Sequence, residues 1–264
     1  MKYAIEVQDL VKRYPNSEKN AVDGISFTVT PGEFFGFLGP NGAGKSTTIN
    51  MLVNLIKPTS GVVKIAGFDV QHQPDEVYKR VGFAMQEIGL DETATAREMM
   101  QLHARLYHLP TENMDKKIND LLEMVELLPV ADKYTSTYSG GMKRRFDLAL
   151  SLIHEPKVLF LDEPTVGLDP HARQLIWKHL KELNKKGMTI LLTTHFMEEA
   201  EQLCDRIAIV DQGKMVTEGT PKELMKEHKA DSIEEVFLKV TGHSLGADEI
   251  NQHAQDPFSR ALPK

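Results

Sequence analysis

The stretch Glu33-Phe34-Phe35-Gly36-Phe37-Leu38-Gly39-Pro40-Asn41-Gly42-Ala43-Gly44-Lys45-Ser46-Thr47 decides the fold. Its first half reads as a buried strand, because apolar side chains and one glycine run unbroken from Phe34 to Leu38. Its second half fits the pattern G-x-x-x-x-G-K-[ST] at every fixed position. The glycines let the backbone take positive φ and wrap closely around an anion. Successive N–H groups then point inward as a nest. Lys45 to Val53 reads as a helix, and its N-terminal partial positive charge faces the same anion. In this setting the Lys45 ammonium is expected beside β- and γ-phosphates, with the Ser46 hydroxyl on Mg²⁺. The expected ligand is a nucleoside triphosphate.

Composition narrows what such a protein does. The chain has 264 residues, is 41% hydrophobic and 26% charged, and carries a formal net charge of -7. That balance is ordinary for a soluble globular protein. It argues against binding nucleic acid by phosphate neutralisation and against docking on anionic lipid through a basic patch. No apolar run approaches the length of a membrane span. Glu6 and Asp9 interrupt any apolar leader, so no signal peptide is expected. The single cysteine, Cys204, excludes an internal disulfide, suits the cytosol and reads as a small packing residue.

Along the chain, strands are expected over Tyr3 to Val11 and Ile25 to Val29, then over Val62 to Ile65 and Val81 to Met85, the last running into Gln86. From Thr95 to about Ile153 the strand signal fades. Thr95 with Glu98 forms a capping box that opens a helix. A second helix is expected from Asn113 to Val125, stopped by Pro129, and a third from Ser139-Gly140-Gly141 to Ile153. Strand patterning resumes at Val158-Leu159-Phe160-Leu161. It is followed by a helix over Pro170 to Lys186 with Asp169 as N-cap. Strand Thr189 to Thr193, helix Met197 to Leu203 and strand Arg206 to Val210 come next, then Met215 to Glu218. Thr220-Pro221-Lys222-Glu223 starts a helix, Ser232 to Thr241 another, and the last residues lack periodicity.

Three further features bear on chemistry. The strand at Val158 ends in Asp162 and Glu163. Asp162 is placed to hold the Mg²⁺ shell, and Glu163, which projects differently, to polarise an attacking water. Ser139-Gly140-Gly141 at a helix start is a second anion cradle. One nucleotide does not need two cradles, so the second is expected to serve a nucleotide held by another copy. His195 follows the apolar strand Ile190 to Thr194 and is placed to reach a γ-phosphate from the sheet's carboxyl edge. By contrast, Trp177 reads as part of a helix packing face, and His103 and His108 lack metal-ligand partners at convincing spacing.

As a set these residues resemble the nucleotide-binding subunit of an ATP-binding cassette (ABC) transporter, from about Tyr3 to Gly242. The motifs stand in that family's order. Tyr14 matches the adenine-stacking aromatic, Gly39–Thr47 the Walker A loop and Gln86 the Q-loop glutamine. Ser139–Gly141 match the signature, Asp162 with Glu163 the Walker B pair, Gly167-Leu168-Asp169 the D-loop and His195 the switch histidine. The resemblance implies a P-loop NTPase core, an α/β mixed sheet flanked by helices, with an antiparallel β subdomain and an inserted α-helical subdomain. It implies an ATPase domain at 1–242, with core 1–90 and 155–220, helical insert about 91–154, C-terminal helical extension about 220–242, and a flexible polar tail at 243–264. It implies ATP and Mg²⁺ as cofactors, with Glu163, His195 and Lys45 catalytic. Tyr14, Gly39, Pro40, Asn41, Gly42, Ala43, Gly44, Lys45, Ser46, Thr47, Gln86, Ser139, Gly140 and Gly141 would bind nucleotide, and Ser46, Gln86 and Asp162 the metal. It further implies a dimer of such subunits that sandwiches two ATP molecules, each signature capping the nucleotide on the opposite Walker A.

The signature departs from the usual one at both ends, since Tyr138 stands where leucine is usual and Met142 where glutamine is. Ala94 to Glu98, Ala104 to Pro110 and Ile233 to Gly242 look like the ABC-2 exporter branch. The implied function is ATP-driven export through separate integral membrane permease subunits, at the cytoplasmic face of the membrane and without nucleic acid. The alternatives are an importer ATPase, or a non-transport ABC ATPase acting on a ribosome or nucleic acid. A single cassette, no long heptad run and an acidic balance weigh against the latter.

Overall fold

The structure, a computed structural model, describes residues 2–15, 17–86 and 89–242. The tail expected at 243–264, and part of the stretch from Gln86 to Leu90, lie outside them. β1 (Ile5–Lys12) pairs antiparallel with β2 (Val22–Val29). β3 (Phe34–Leu38) leads through the glycine-rich loop into α1 (Lys45–Leu52). β4 (Ser60–Ile65) returns to β1, and β5 (Phe68–Asp69) pairs with β4, giving a four-stranded sheet of order β2-β1-β4-β5. α2 (Pro74–Tyr78) connects to β6 (Val81–Ala84). Three helices follow without a strand among the described residues: α3 (Ala96–Leu106), α4 (Met114–Met124) and α5 (Gly140–Ser151). The chain then alternates β7 (Val158–Asp162), α6 (Pro170–Lys185), β8 (Thr189–Thr194), α7 (Met197–Leu203) and β9 (Arg206–Asp211). β10 (Lys214–Gly219), α8 (Pro221–Glu227) and α9 (Ile233–Thr241) close it.

The second sheet has six strands in the order β10-β9-β3-β8-β7-β6, all parallel except β10, which runs antiparallel to β9. A parallel strand covered on both faces has no solvent side, and this explains the unbroken apolar run at β3. Phe35 and Phe37 point toward the antiparallel sheet, where Phe35 stacks on Phe27 of β2 at 5.3 Å between ring centroids. Phe34 and Leu38 point the other way, into a layer with Leu180 of α6, Leu203 of α7 and Phe237 of α9. A third apolar cluster joins α3, α4 and α5 through Met100, Ile118, Leu122 and Phe146.

Local sequence signals account for most helix starts. Thr95 and Glu98 form the capping box expected of them, as do Thr220 and Glu223. Asp169 caps α6 by accepting from the Ala172 amide at 2.9 Å. One expected stop is corrected. The helix opened near Asn113 ends at Met124, and Glu126 turns the chain out of it at φ 58°. Pro129, expected to stop it, sits in a separate 3₁₀ turn over Leu128–Val130. The expected strand and helix set also lacked β5 and α2, each too short to show periodicity.

Gly36 sits where β3 meets Cys204, and a Cβ there would lie 2.6 Å from the Cys204 Sγ. Cys204 is thus the buried packing residue expected of it, 7% exposed, with burial pushing its thiol well up. Gly36→Ala is expected to cost on the order of 1–3 kcal/mol through overpacking. It should lower Tm in thermal melts, and adding Cys204→Ala should restore part of the loss. An unchanged Tm in the single variant would show that this contact does not constrain the core.

Candidate functional site

Parallel pairing builds the site. Leu38 lies in register with Thr194, Asp162 with Thr193, and Ala84 with Leu161. The carboxyl ends of β3, β8, β7 and β6 therefore reach one edge of the sheet, where ligands bind in open α/β folds. From that edge project the loop at Gly39, then His195, the pair Asp162 and Glu163, and Gln86. At the loop, Gly44 has φ 97° and a Cβ there would collide with the Ala21 carbonyl, so this close approach requires glycine.

Lys45 turns back under the loop. Its ammonium donates to the carbonyls of Gly39 at 2.9 Å and Pro40 at 3.0 Å, and meets Glu163 Oε1 at 3.1 Å. Both side chains are 4% exposed, so the ion pair is dry. Glu163 Oε2 lies 3.3 Å from His195 Nδ1 and 3.4 Å from Gln86 Nε2. Burial alone would push the Glu163 carboxyl up. The His195 contact and the Lys45 charge outweigh it and hold the group below the usual glutamate range. Asp162 differs: burial dominates and leaves its carboxyl above the ordinary range, although Thr193 and Ser46 both donate to its Oδ1, Ser46 at 3.1 Å. Two adjacent acids are thus pushed in opposite directions, a pattern concentrated at functional sites.

The residues singled out in the sequence divide into two places. Asn41, Gly42, Gly44, Lys45, Ser46, Thr47, Gln86 and Glu163 line one cleft of about 290 Å³. Gly39, Pro40 and Ala43 form the loop behind it. Tyr14 stands beside Thr47, its hydroxyl 3.4 Å from the threonine Oγ1, with its ring 42% exposed. Ser139, Gly140 and Gly141 are not among the residues lining that cleft. Ser139 caps α5 by accepting from the Met142 amide at 3.3 Å, and it is exposed. The two signature departures have structural partners: Tyr138 is buried and donates to the Val130 carbonyl at 2.8 Å, and Met142 packs on the helical cluster.

Whether Mg²⁺ fits depends on oxygen donors, since that ion takes few protein ligands and completes its shell with phosphate and water. The Ser46 hydroxyl and the Asp162 carboxylate converge 3.1 Å apart at the start of α1, a donor pair suited to the ion. No group of three or more His, Cys, Asp or Glu with metal-site geometry occurs among the described residues, so an all-protein cage is not what this edge offers.

Some residues here gave no sequence signal. Arg144 of α5, 4% exposed, donates to the carbonyls of Asp162, Glu163 and Pro164 and to that of Met85. Glu199 of α7 is fully buried and accepts from Thr165 at 2.8 Å and from Trp177 at 2.9 Å. The Trp177 packing face thus also carries one polar anchor.

With this geometry in view, a sequence profile of the ABC transporter family matches residues 22–166. Among curated proteins, the daunorubicin resistance ATP-binding protein DrrA3 of Streptomyces coeruleorubidus is 44% identical over 244 residues, 92% of this chain and 76% of that one. The chain belongs to the ABC transporter family. The Nod factor export ATP-binding protein I of Ralstonia nicotianae is likewise 44% identical, over 88% of this chain and 72% of its own. A solved ATP-binding subunit of an ABC transporter superposes with a TM-score of 0.82 at 29% identity, over 90% of this chain and 99% of that one. An ATP-binding cassette solved as a dimer in a post-hydrolysis state with ADP and Pi superposes at 0.74 and 29%, over 82% and 98%. The α/β core with its antiparallel sheet is therefore the ABC ATPase form of the P-loop NTPase fold.

Asp147, one turn beyond Arg144, supplies a pH test. Burial pushes its carboxyl up to about 7, against the pull of Arg144. In the unfolded chain the group ionises near its ordinary 3.8, so rising pH favours unfolding until the folded state ionises as well. Asp147→Asn lacks that loss. Urea melts should show the variant gaining on the wild type between about pH 4 and pH 8. An equal difference at both ends would contradict the raised pKa.

Proposed function

We propose that this chain is the ATP-hydrolysing subunit of an exporter, working as a dimer on separate membrane subunits. The observation that carries the chemistry is Glu163: a buried carboxylate, held ionised, at the mouth of the phosphate loop and 3.1 Å from Lys45. Export is supported by the relatives, whose names specify drug resistance and Nod factor export.

The triphosphate is held by the backbone amides of the loop and by Lys45. A phosphate oxygen is a stronger partner for the ammonium than Glu163 is, so nucleotide binding releases the carboxylate toward water. Glu163 then takes the proton of the attacking water as general base. His195, beside it, donates to the γ-phosphate. Ser46, Asp162 and Gln86 would hold Mg²⁺, which when bound would neutralise the negative charge that develops on the phosphates. Tyr14 stacks on the adenine, which its exposed ring beside Thr47 permits.

Ser139 and Gly140 lie exposed, Gly141 half-buried, and all three are outside the chain's own cleft, which suits a cradle that caps the nucleotide of a second copy. The solved cassettes that form dimers lend support. The block at about 91–154 acts as the helical insert between the two parts of the core. A second cleft, lined by Leu55, Tyr78, Met85 and Met99 beside that block, suits docking of a permease segment. No helix among the described residues is long and apolar enough to cross a membrane, and the export reading assigns passage of the cargo to membrane-spanning partners.

Glu163→Gln is expected to keep ATP affinity and ATP-driven dimerisation while lowering turnover by about 10²-fold or more. Phosphate release together with size-exclusion chromatography reads both, and a fully active variant would refute the base role. Tyr14→Ala should raise the Kd for ATP in a direct binding titration, and an unchanged Kd would remove Tyr14 from the site.

A further inference from the structure

Arg144 lies on the helix that Ser139 opens, yet its guanidinium serves the other end of the catalytic apparatus. Nε donates to the Pro164 carbonyl at 2.6 Å. Nη2 donates to the Glu163 carbonyl at 2.6 Å and to that of Asp162 at 3.2 Å. Nη1 reaches the Met85 carbonyl, the residue before Gln86, and lies 3.6 Å from Asp147 Oδ2. One planar fork thus gathers the backbone on both sides of Glu163 and the start of the Gln86 loop. Only a guanidinium has enough fixed donors for that set.

The gathered backbone needs holding. Glu163 has φ 48°, in the left-handed region, though it is neither glycine nor asparagine. Such a conformation costs on the order of 1–3 kcal/mol and persists only where the surroundings over-determine it. On its amide side Glu163 donates to the Thr193 carbonyl and to Thr193 Oγ1, both at 3.1 Å. On its carbonyl side it accepts from Arg144 at 2.6 Å and, at a longer 3.3 Å, from the Val166 amide of its own turn.

We propose that Arg144, steadied by Asp147, is a positioning residue for hydrolysis that ties the placement of Glu163 to the placement of the helix beginning at Ser139. This rests on the reading of Glu163 as the base. It gives that reading a consequence: movement of the Ser139 helix in one protomer, as it meets the partner's nucleotide, shifts the base of its own site.

The test is a double-mutant cycle in the full chain, with turnover, ATP affinity and thermal stability all measured. Arg144→Lys keeps the charge and loses the fork. Its Kd for ATP should stay within about twofold, and its kcat should fall roughly ten- to a hundredfold, the scale of a small misplacement of a catalytic group. In a Glu163→Gln background, followed by single-turnover hydrolysis of labelled ATP, the same change should cost less than about threefold, because the group it positions is gone. Asp147→Asn is the second arm and decides the question if Arg144→Lys does not fold. It should lower kcat several-fold while its Tm gains on that of the wild type from about pH 4 to above neutral pH, a pH-dependent gain that loss of fold does not produce, and its kcat effect too should vanish in the Glu163→Gln background. Costs that multiply in full with that of Glu163→Gln, or unaltered kcat in both Arg144→Lys and Asp147→Asn, would overturn the proposal. If Glu163→Gln itself leaves turnover intact, the base reading fails instead, and the two failures are distinct.

Discussion

The parallel hydrogen bonding of β3 with β8, β8 with β7 and β7 with β6 is the constraint from which the site follows. Parallel strands cannot be joined by tight turns, so each connection must leave the sheet and return through a covering helix. Both faces are then buried, and every carboxyl end emerges at one edge. Phe34 to Leu38 satisfy the first consequence, with alternate side chains filling opposite layers. Gly39, Gln86, Asp162 and His195 follow from the second. They are distant in sequence and close in space because Ala84, Leu161, Leu192 and the neighbouring Leu38–Thr194 pair stand in register.

Burial at that edge would be ruinous for charge without pairing. Lys45 resolves it by spending all three N–H donors on two carbonyls and Glu163. Asp162 resolves it with hydroxyls from Thr193 and Ser46, and its carboxyl is still displaced upward. The asymmetry has a cause. Glu163 sits among Lys45, His195 and Gln86, all able to donate, whereas Asp162 has neutral hydroxyls and a second carboxylate next door. The same sequence pair, two adjacent acids, thus becomes one carboxylate held ionised by its neighbours and another that burial pushes toward its protonated form.

Local chemistry made much of this legible. The phosphate loop, the capping boxes at Thr95 and Thr220, the cap at Asp169 and the apolar strands ending in function all depend on neighbours within a few residues. What escaped depends on distant backbone. Arg144 reads as one of several basic residues in Lys143-Arg144-Arg145, and nothing local says that its acceptors are carbonyls at residues 85 and 162–164. Tyr138 looks like a fault in a phosphate-binding motif. Its hydroxyl in fact anchors the Val130 carbonyl, and its ring meets Phe146 edge-on at 6.4 Å. Pro129 misled because a helix can end on a left-handed residue, here Glu126, before any proline is reached.

The placement of α5 gives these observations a common logic. At its start Ser139 and Gly140 are exposed and Gly141 is half-buried, and none of the three lines the cleft of its own chain. Its second turn buries Arg144 against the backbone that carries Glu163. One end of this helix is thus exposed while the next turn is bonded to the backbone at the end of β7. Asp147, a turn further, stands in the wall of the apolar cleft beside Met85. Three features therefore meet on about two turns of helix: the exposed turn at Ser139, the buried contact of Arg144 with the Asp162–Glu163 backbone, and the wall of the cleft at Asp147. Among the described residues α5 is where the three converge, so a change at any one of them bears on the other two through a single element.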